Sequence, residues 1–105
     1  NMKRDFTYID DIINGILASI ENNHNCEIFN LGNNKSENLM DVVSLIENKI
    51  GKKAIIEFET MQDGDVEKTY ADIDKAKSKL GFKPITNVKD GIGNFIDWYL
   101  EYSKI

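Results

Sequence analysis

The sequence predicts an α/β chain of four helices and two or more short strands, and three observations carry that reading. Four segments repeat apolar residues at spacings of three and four, which places them on one face of a helix. Between them lie two short runs, "CEIFNLG" and "KKAIIEFET", whose length and β-branching favour strands. An isolated pair of strands is marginal unless helices or further strands cover it, so the sheet is expected to draw its other strands from elsewhere.

The first helix is expected from about Tyr8 to Asn22, with Ile9, Ile12, Ile13, Ile16, Leu17 and Ile20 on one face. Asp10 and Asp11 fall in its first turn, where carboxylates favour the positive end of the helix dipole. The polar turn "ENNHN" ends it. Cys26 then opens a short run in which Ile28, Phe29 and Leu31 precede Gly32, read as a buried strand. After the polar loop "NNKSENL", the second helix carries Leu39, Val42, Val43, Ile46 and Ile50 inward. Asn38 is placed to cap it, Asp41 completes a capping-box pattern, and Gly51 closes it.

"KKAIIEFET" alternates Ile56 and Phe58 with Glu57 and Glu59, the pattern of a strand with one wet face. A polar, glycine-containing loop leads to a short helix at about Ile73 to Leu80, stopped by Gly81 and Pro84. The last helix runs from about Val88 to Tyr102, with Val88, Ile92, Phe95, Ile96 and Tyr99 inward.

Composition narrows the function classes. The 105 residues are 41% hydrophobic and 30% charged, an ordinary globular balance that argues against disorder. A formal net charge of −5 argues against nucleic acid or an anionic membrane as partner, since both attract clustered Lys and Arg. Cys26 has no second cysteine to pair with, no apolar run approaches a membrane span, and "NMKRDFTYIDD" lacks the apolar core of a signal peptide. A cytoplasmic setting is expected.

Complete catalytic sets are missing. His24 has no nucleophile placed near it, and Cys26 reads as a small core hydrophobe. The cluster Asp63, Asp65 and Glu67 fails the calcium-loop spacing because Gly64 directly follows the first aspartate. "GIGNFI" lacks the third glycine of a dinucleotide fingerprint and follows no strand. No Tyr is followed four residues later by Lys.

Two stretches remain. In "MKRDFTYIDD", Lys3 and Arg4 stand just before a helix start, where backbone N–H groups and a guanidinium can jointly hold an anion such as a diphosphate. In "MQDGDVEKTYAD", Gln62, Asp65, Thr69 and Tyr70 surround a glycine, which is hydrogen-bonding chemistry for a polyhydroxylated or nucleoside ligand. Plainer readings stand beside both: Arg4 pairing with Asp5 or Asp10 on the surface, and the loop as a solvated connector.

In order along the chain, "RDFTYIDDI", "FNLGNN", "GDVEKTYAD", "LGFKP" and "FIDWY" resemble the C-terminal part of nucleotide-sugar epimerases of the extended short-chain dehydrogenase/reductase family, with UDP-glucuronate epimerases the nearest look. The resemblance covers nearly the whole chain. It implies the C-terminal substrate-binding portion of a Rossmann-type fold without the main Rossmann sheet, residues 1–35 returning to that sheet and 36–105 forming the substrate lobe. It also implies NAD in the full-length enzyme but no cofactor on this chain, which lacks the catalytic Tyr and Lys and is not expected to catalyse alone. The reaction implied is transient oxidation at the sugar C4 by NAD and return of the hydride to the other face.

Carried over by motif, Arg4 matches the arginine that helps hold the diphosphate, and Asp65 matches the aspartate facing the nucleoside end. Gln62 stands where several relatives have arginine, a departure that removes one ionic contact to the diphosphate. The expected ligand is a UDP-sugar, held by a loop at Gln62 to Thr69 that leads into a structural helix. The same lobe in a dehydratase or decarboxylase, or a stand-alone binding module, are the rival readings. If the apolar face of the first helix normally packs on a Rossmann sheet, the chain by itself is expected to form a homo-oligomer or swapped dimer.

Overall fold

The computed structural model describes residues 2–22, 24–60, 62–64 and 66–104. Its elements run β1 (Lys3–Asp5), α1 (Ile9–Glu21), β2 (Ser36–Asn38), α2 (Leu39–Ile50), α3 (Asp74–Leu80) and α4 (Val88–Tyr102). The α/β class and the four helices match the sequence expectation, with ends shifted by at most a residue.

Capping explains the sharp ends. The Asn38 side chain accepts from the Met40 N–H at 2.9 Å at the start of α2, and the Asn87 side chain accepts from the Asp90 N–H at 2.8 Å at the start of α4. Gly51 and Gly81 close α2 and α3 in the left-handed region, at φ of 74° and 66°, where a residue without Cβ carries no steric penalty.

The strands differ from expectation. Among the described residues the two expected runs form no strand; instead β1 and β2 pair antiparallel, with Lys3 opposite Asn38, Arg4 opposite Glu37 and Asp5 opposite Ser36. Ile28, Ile55 and Phe58 are 82%, 97% and 85% exposed, while Phe29 and Leu31 of the first run are partly buried against the core. Cys26, expected inside, is exposed with φ of 42°.

The core is small. Ile73, Ala76, Leu80 and Phe82 are buried together around α3, with Ala18, Phe29, Leu31 and Ala71 packed against them. α2 and α4 pack on each other and bury Val42 and Ile96, and Lys49 Nζ reaches Asp97 Oδ1 at 3.0 Å across that contact.

α1 turns most of its apolar face outward, as expected of a face that would pack on a Rossmann sheet. It buries Asp11 and Gly15, while Ile9, Ile13, Ile16, Leu17 and Ile20 are exposed. Small residues let the backbone come close: a Cβ on Gly15 would lie 2.8 Å from the Leu31 methyls and 3.0 Å from the Phe82 ring. On α4, likewise, Phe95 and Tyr99 face solvent rather than the core. The radius of gyration, 16.3 Å, exceeds the ~13 Å usual for a compact chain of this size, and the shape is a slab of 47 × 38 × 21 Å. Its apolar faces lie open.

Candidate functional site

The site assembles around β1, because that short strand is stitched on both sides. β2 lies along one edge; on the other, Lys3 N–H donates to the Glu67 carbonyl at 2.8 Å and Thr69 N–H donates to the Lys3 carbonyl at 3.0 Å, a parallel bridge. The Ser36 hydroxyl closes the set by donating to the Thr69 carbonyl at 2.6 Å. The strand bearing Arg4 and the downstream end of the 62–69 loop are therefore held side by side.

Arg4 is half-buried in the middle of β1, and its Nη1 donates to the Lys3 carbonyl at 2.8 Å. That bond ties the guanidinium to the neighbouring backbone and uses one of its five donors. A fork-shaped cation held in place on a strand suits the paired oxygens of a diphosphate. Gln62 is exposed at the upstream end of the loop, before the turn at Asp63 and Gly64, where Gly64 has φ of 88°. Asp65 lies outside the described residues.

The sequence offers Asp5 only as a surface partner for Arg4, yet it is the busiest acceptor near the site. Its Oδ1 accepts from Asn33 N–H at 3.0 Å, and its Oδ2 accepts from Asn34 N–H at 3.0 Å and Ala71 N–H at 2.8 Å. Gly32 makes room for this junction, since a Cβ there would lie 2.5 Å from the Ala71 Cβ. Partners 28 to 66 residues away leave no local pattern in a sequence. The adjacency of Asp5 to Arg4 is the one available signal.

Just beyond β1 the chain forms the wall of a groove of about 630 Å³, lined largely by apolar side chains that include Phe6, Tyr8, Ile92, Phe95 and Trp98. Gly91, one of the two glycines of "GIGNFI", sits inside α4 beneath Tyr8, where a Cβ would lie 3.3 Å from the ring. It serves helix packing, and the run does not fit a dinucleotide cradle.

A second cavity of about 330 Å³, beside Ser19, His24, Glu27 and Phe29, contains none of the expected site residues. There the Lys79 ammonium donates to both Glu27 oxygens at 2.9 and 3.0 Å, and Lys75 lies 3.4 Å away. The Lys79 hydrogen bond, aided by the charges of both lysines, holds the Glu27 carboxyl below its usual range.

The family described as GDP-mannose 4,6 dehydratase matches residues 1–95 of the chain. An uncharacterised protein of Methanocaldococcus jannaschii is 50% identical over 96% of this chain and 31% of its own length. The UDP-glucuronate 4-epimerase of Thermodesulfobacterium geofontis is 39% identical over 93% of this chain and 30% of its own. Among solved structures, UDP-glucuronic acid 4-epimerase of Bacillus cereus, in complex with UDP-glucuronic acid and NAD, superposes with a TM-score of 0.85 at 34% identity, over 96% of this chain and 33% of that one. The chain spans about a third of the length of these relatives.

Proposed function

This chain belongs to the GDP-mannose 4,6 dehydratase family and matches the C-terminal portion of extended short-chain dehydrogenase/reductase epimerases; from that premise we propose that it is the UDP-sugar-binding lobe of an NAD-dependent nucleotide-sugar epimerase. The observation that carries the proposal is the pairing of β1 with residues 67–69, which sets Arg4 beside the downstream end of the loop that begins at Gln62. Arg4 takes the diphosphate; Asp65 takes the nucleoside end; Gln62 adds neutral hydrogen bonds where a cation would add charge.

The chemistry stays with the rest of the enzyme. NAD would accept and return the hydride, but this chain offers it no glycine fingerprint and no catalytic Tyr and Lys, so its share is grip and orientation. By itself it is inactive. The route of residues 1–35 back to a Rossmann sheet and the separate lobe at 36–105 belong to the same proposal, as does a cytoplasmic setting, which the lone Cys26 supports. Among the described residues, no helix is long and apolar enough to cross a membrane.

The family takes its name from a dehydratase, which favours the runner-up of a nucleotide-sugar dehydratase lobe. The epimerase reading is preferred because the UDP-glucuronate 4-epimerases named above align over more than nine-tenths of this chain. We also propose that the open faces of α1 and α4 make the chain a homo-oligomer or swapped dimer when it stands alone.

The test is a titration of the isotope-labelled chain with UDP-glucuronate, followed by NMR. Half of a clamp should bind weakly, at about millimolar strength, equivalent to only ~4 kcal/mol. Backbone signals of Arg4 and residues 62–69 should move first, and Arg4→Ala should abolish the movement. Shifts confined to other elements, or none at all, defeat the reading.

A further inference from the structure

We propose that Asp5 is a positioning residue whose carboxylate sets the spacing between Arg4 and the ligand-facing loop. Three backbone N–H groups from two distant segments converge on it, those of Asn33 and Asn34 at 3.0 Å and of Ala71 at 2.8 Å. A carboxylate is the fitting side chain there, because it offers acceptors on both oxygens and makes charge-assisted bonds.

Each segment it holds leads straight to the site. Ala71 lies two residues past Thr69, whose N–H is bonded to the Lys3 carbonyl next to Arg4. Asn33 and Asn34 lead to Ser36, whose hydroxyl is bonded to the Thr69 carbonyl. Asn34 turns through the left-handed region at φ of 56°, and the bond from its N–H to Asp5 helps hold that turn. Gly32 completes the junction, since any Cβ there would press on Ala71 and lie 3.1 Å from Asp5 Oδ2. One side chain thus fixes strand, turn and loop at the position next to the cation that grips the ligand.

An amide in its place breaks the arrangement. Asn presents one acceptor oxygen and one NH₂ group, so at least one of the three N–H groups would face a donor. The loop's anchor would loosen while the helices, held by their own caps and cores, would persist. The effect on the ligand rests on the proposed binding role; the anchoring does not.

The experiment keeps those two parts separate by following amide exchange and UDP-glucuronate response in the labelled chain. Asp5→Asn should speed exchange at Ala71, Lys3 and Thr69 by about tenfold or more, the scale of one lost charge-assisted hydrogen bond. Amides of α2 and α4 should keep their wild-type rates, and the ligand response at Arg4 should weaken by a similar factor. Unchanged exchange at Lys3 and Thr69 overturns the proposal, as does uniform acceleration across α2 and α4. If the wild-type chain does not respond to UDP-glucuronate, the binding role falls and the exchange rates still decide the anchoring. Should Asp5→Asn fail to fold, Asp5→Glu keeps the charge but displaces it by one methylene. It should speed exchange at Thr69 with the helices intact, and wild-type exchange in that variant also overturns the proposal.

Discussion

The Asp11 carboxylate, 2% exposed in the first turn of α1, accepts from the backbone N–H of Thr86 at 3.0 Å, 75 residues further along the chain. It ties the start of α1 to the segment that feeds α4, and it is a polar group in a place where the periodicity of α1 suggests only a dipole partner. Asp11→Ala should strand the Thr86 N–H and cost about 1–3 kcal/mol, the usual penalty for an orphaned buried donor. A urea midpoint unchanged from wild type would show that the bond contributes nothing.

Gly32→Ala should be the most damaging single methyl near the site. Its Cβ would meet the Ala71 Cβ at 2.5 Å, and neither atom is the mobile end of a side chain, so backbone must move. A loss of roughly 1–3 kcal/mol is expected for such overpacking. The NMR signals of Asn33, Ala71 and Thr69 should shift together, and a spectrum identical to wild type would refute the packing argument.

Gly51 and Gly81 should cost less when replaced. Both have positive φ, and a Cβ at either would meet nothing within 4 Å among the described residues, so the penalty is backbone strain alone. Each Gly→Ala change should destabilise by about 1–2 kcal/mol, and Asn, which tolerates the left-handed region, by less. Thermal melts of the Ala and Asn pairs check the order; equal loss from both would contradict it.

The Glu27 clamp predicts a response to acid. The Lys79 hydrogen bond depresses the folded carboxyl below its usual value near 4.5, so the contribution is present above that value and is lost as pH falls through the folded one. Glu27→Gln should lower the urea midpoint slightly near neutral pH and by less at about pH 3, below the usual carboxylate range. An equal effect at both pH values would mean that the charge is irrelevant.

Self-association should be visible in sedimentation. Ile9, Ile16 and Ile20 are 65%, 44% and 71% exposed on one helix, a patch large enough to seek cover. Ile16→Glu should shift the chain toward monomer. A wild-type chain that sediments as a clean monomer at high concentration removes the prediction.

The helices are legible in the sequence because their signals are local. Asn38, Gly51 and Gly81 announce helix ends through contacts within four or five residues, and those are the ends the structure shows. The strands are not, since pairing is long-range: among the described residues the β-branched runs stay outside the sheet, while the polar triplets Lys3–Asp5 and Ser36–Asn38 pair with each other. Periodicity finds the apolar stripe of α1, which lies open, but not its buried side, the small one of Asp11 and Gly15. Of the proposed site, Arg4 and the loop are suggested by residue chemistry. Asp5 is not, because it acts on backbone rather than on side chains.

The exposed run at 52–60 has a practical consequence. The bare Ile55 and Phe58 side chains are apolar surface without cover. Lys52, Lys53, Glu57 and Glu59 stand between and beside them as gatekeepers. Replacing those polar neighbours by apolar residues should raise the light scattering of a concentrated solution, so handling this protein depends less on its core than on the four side chains that flank two uncovered apolar ones.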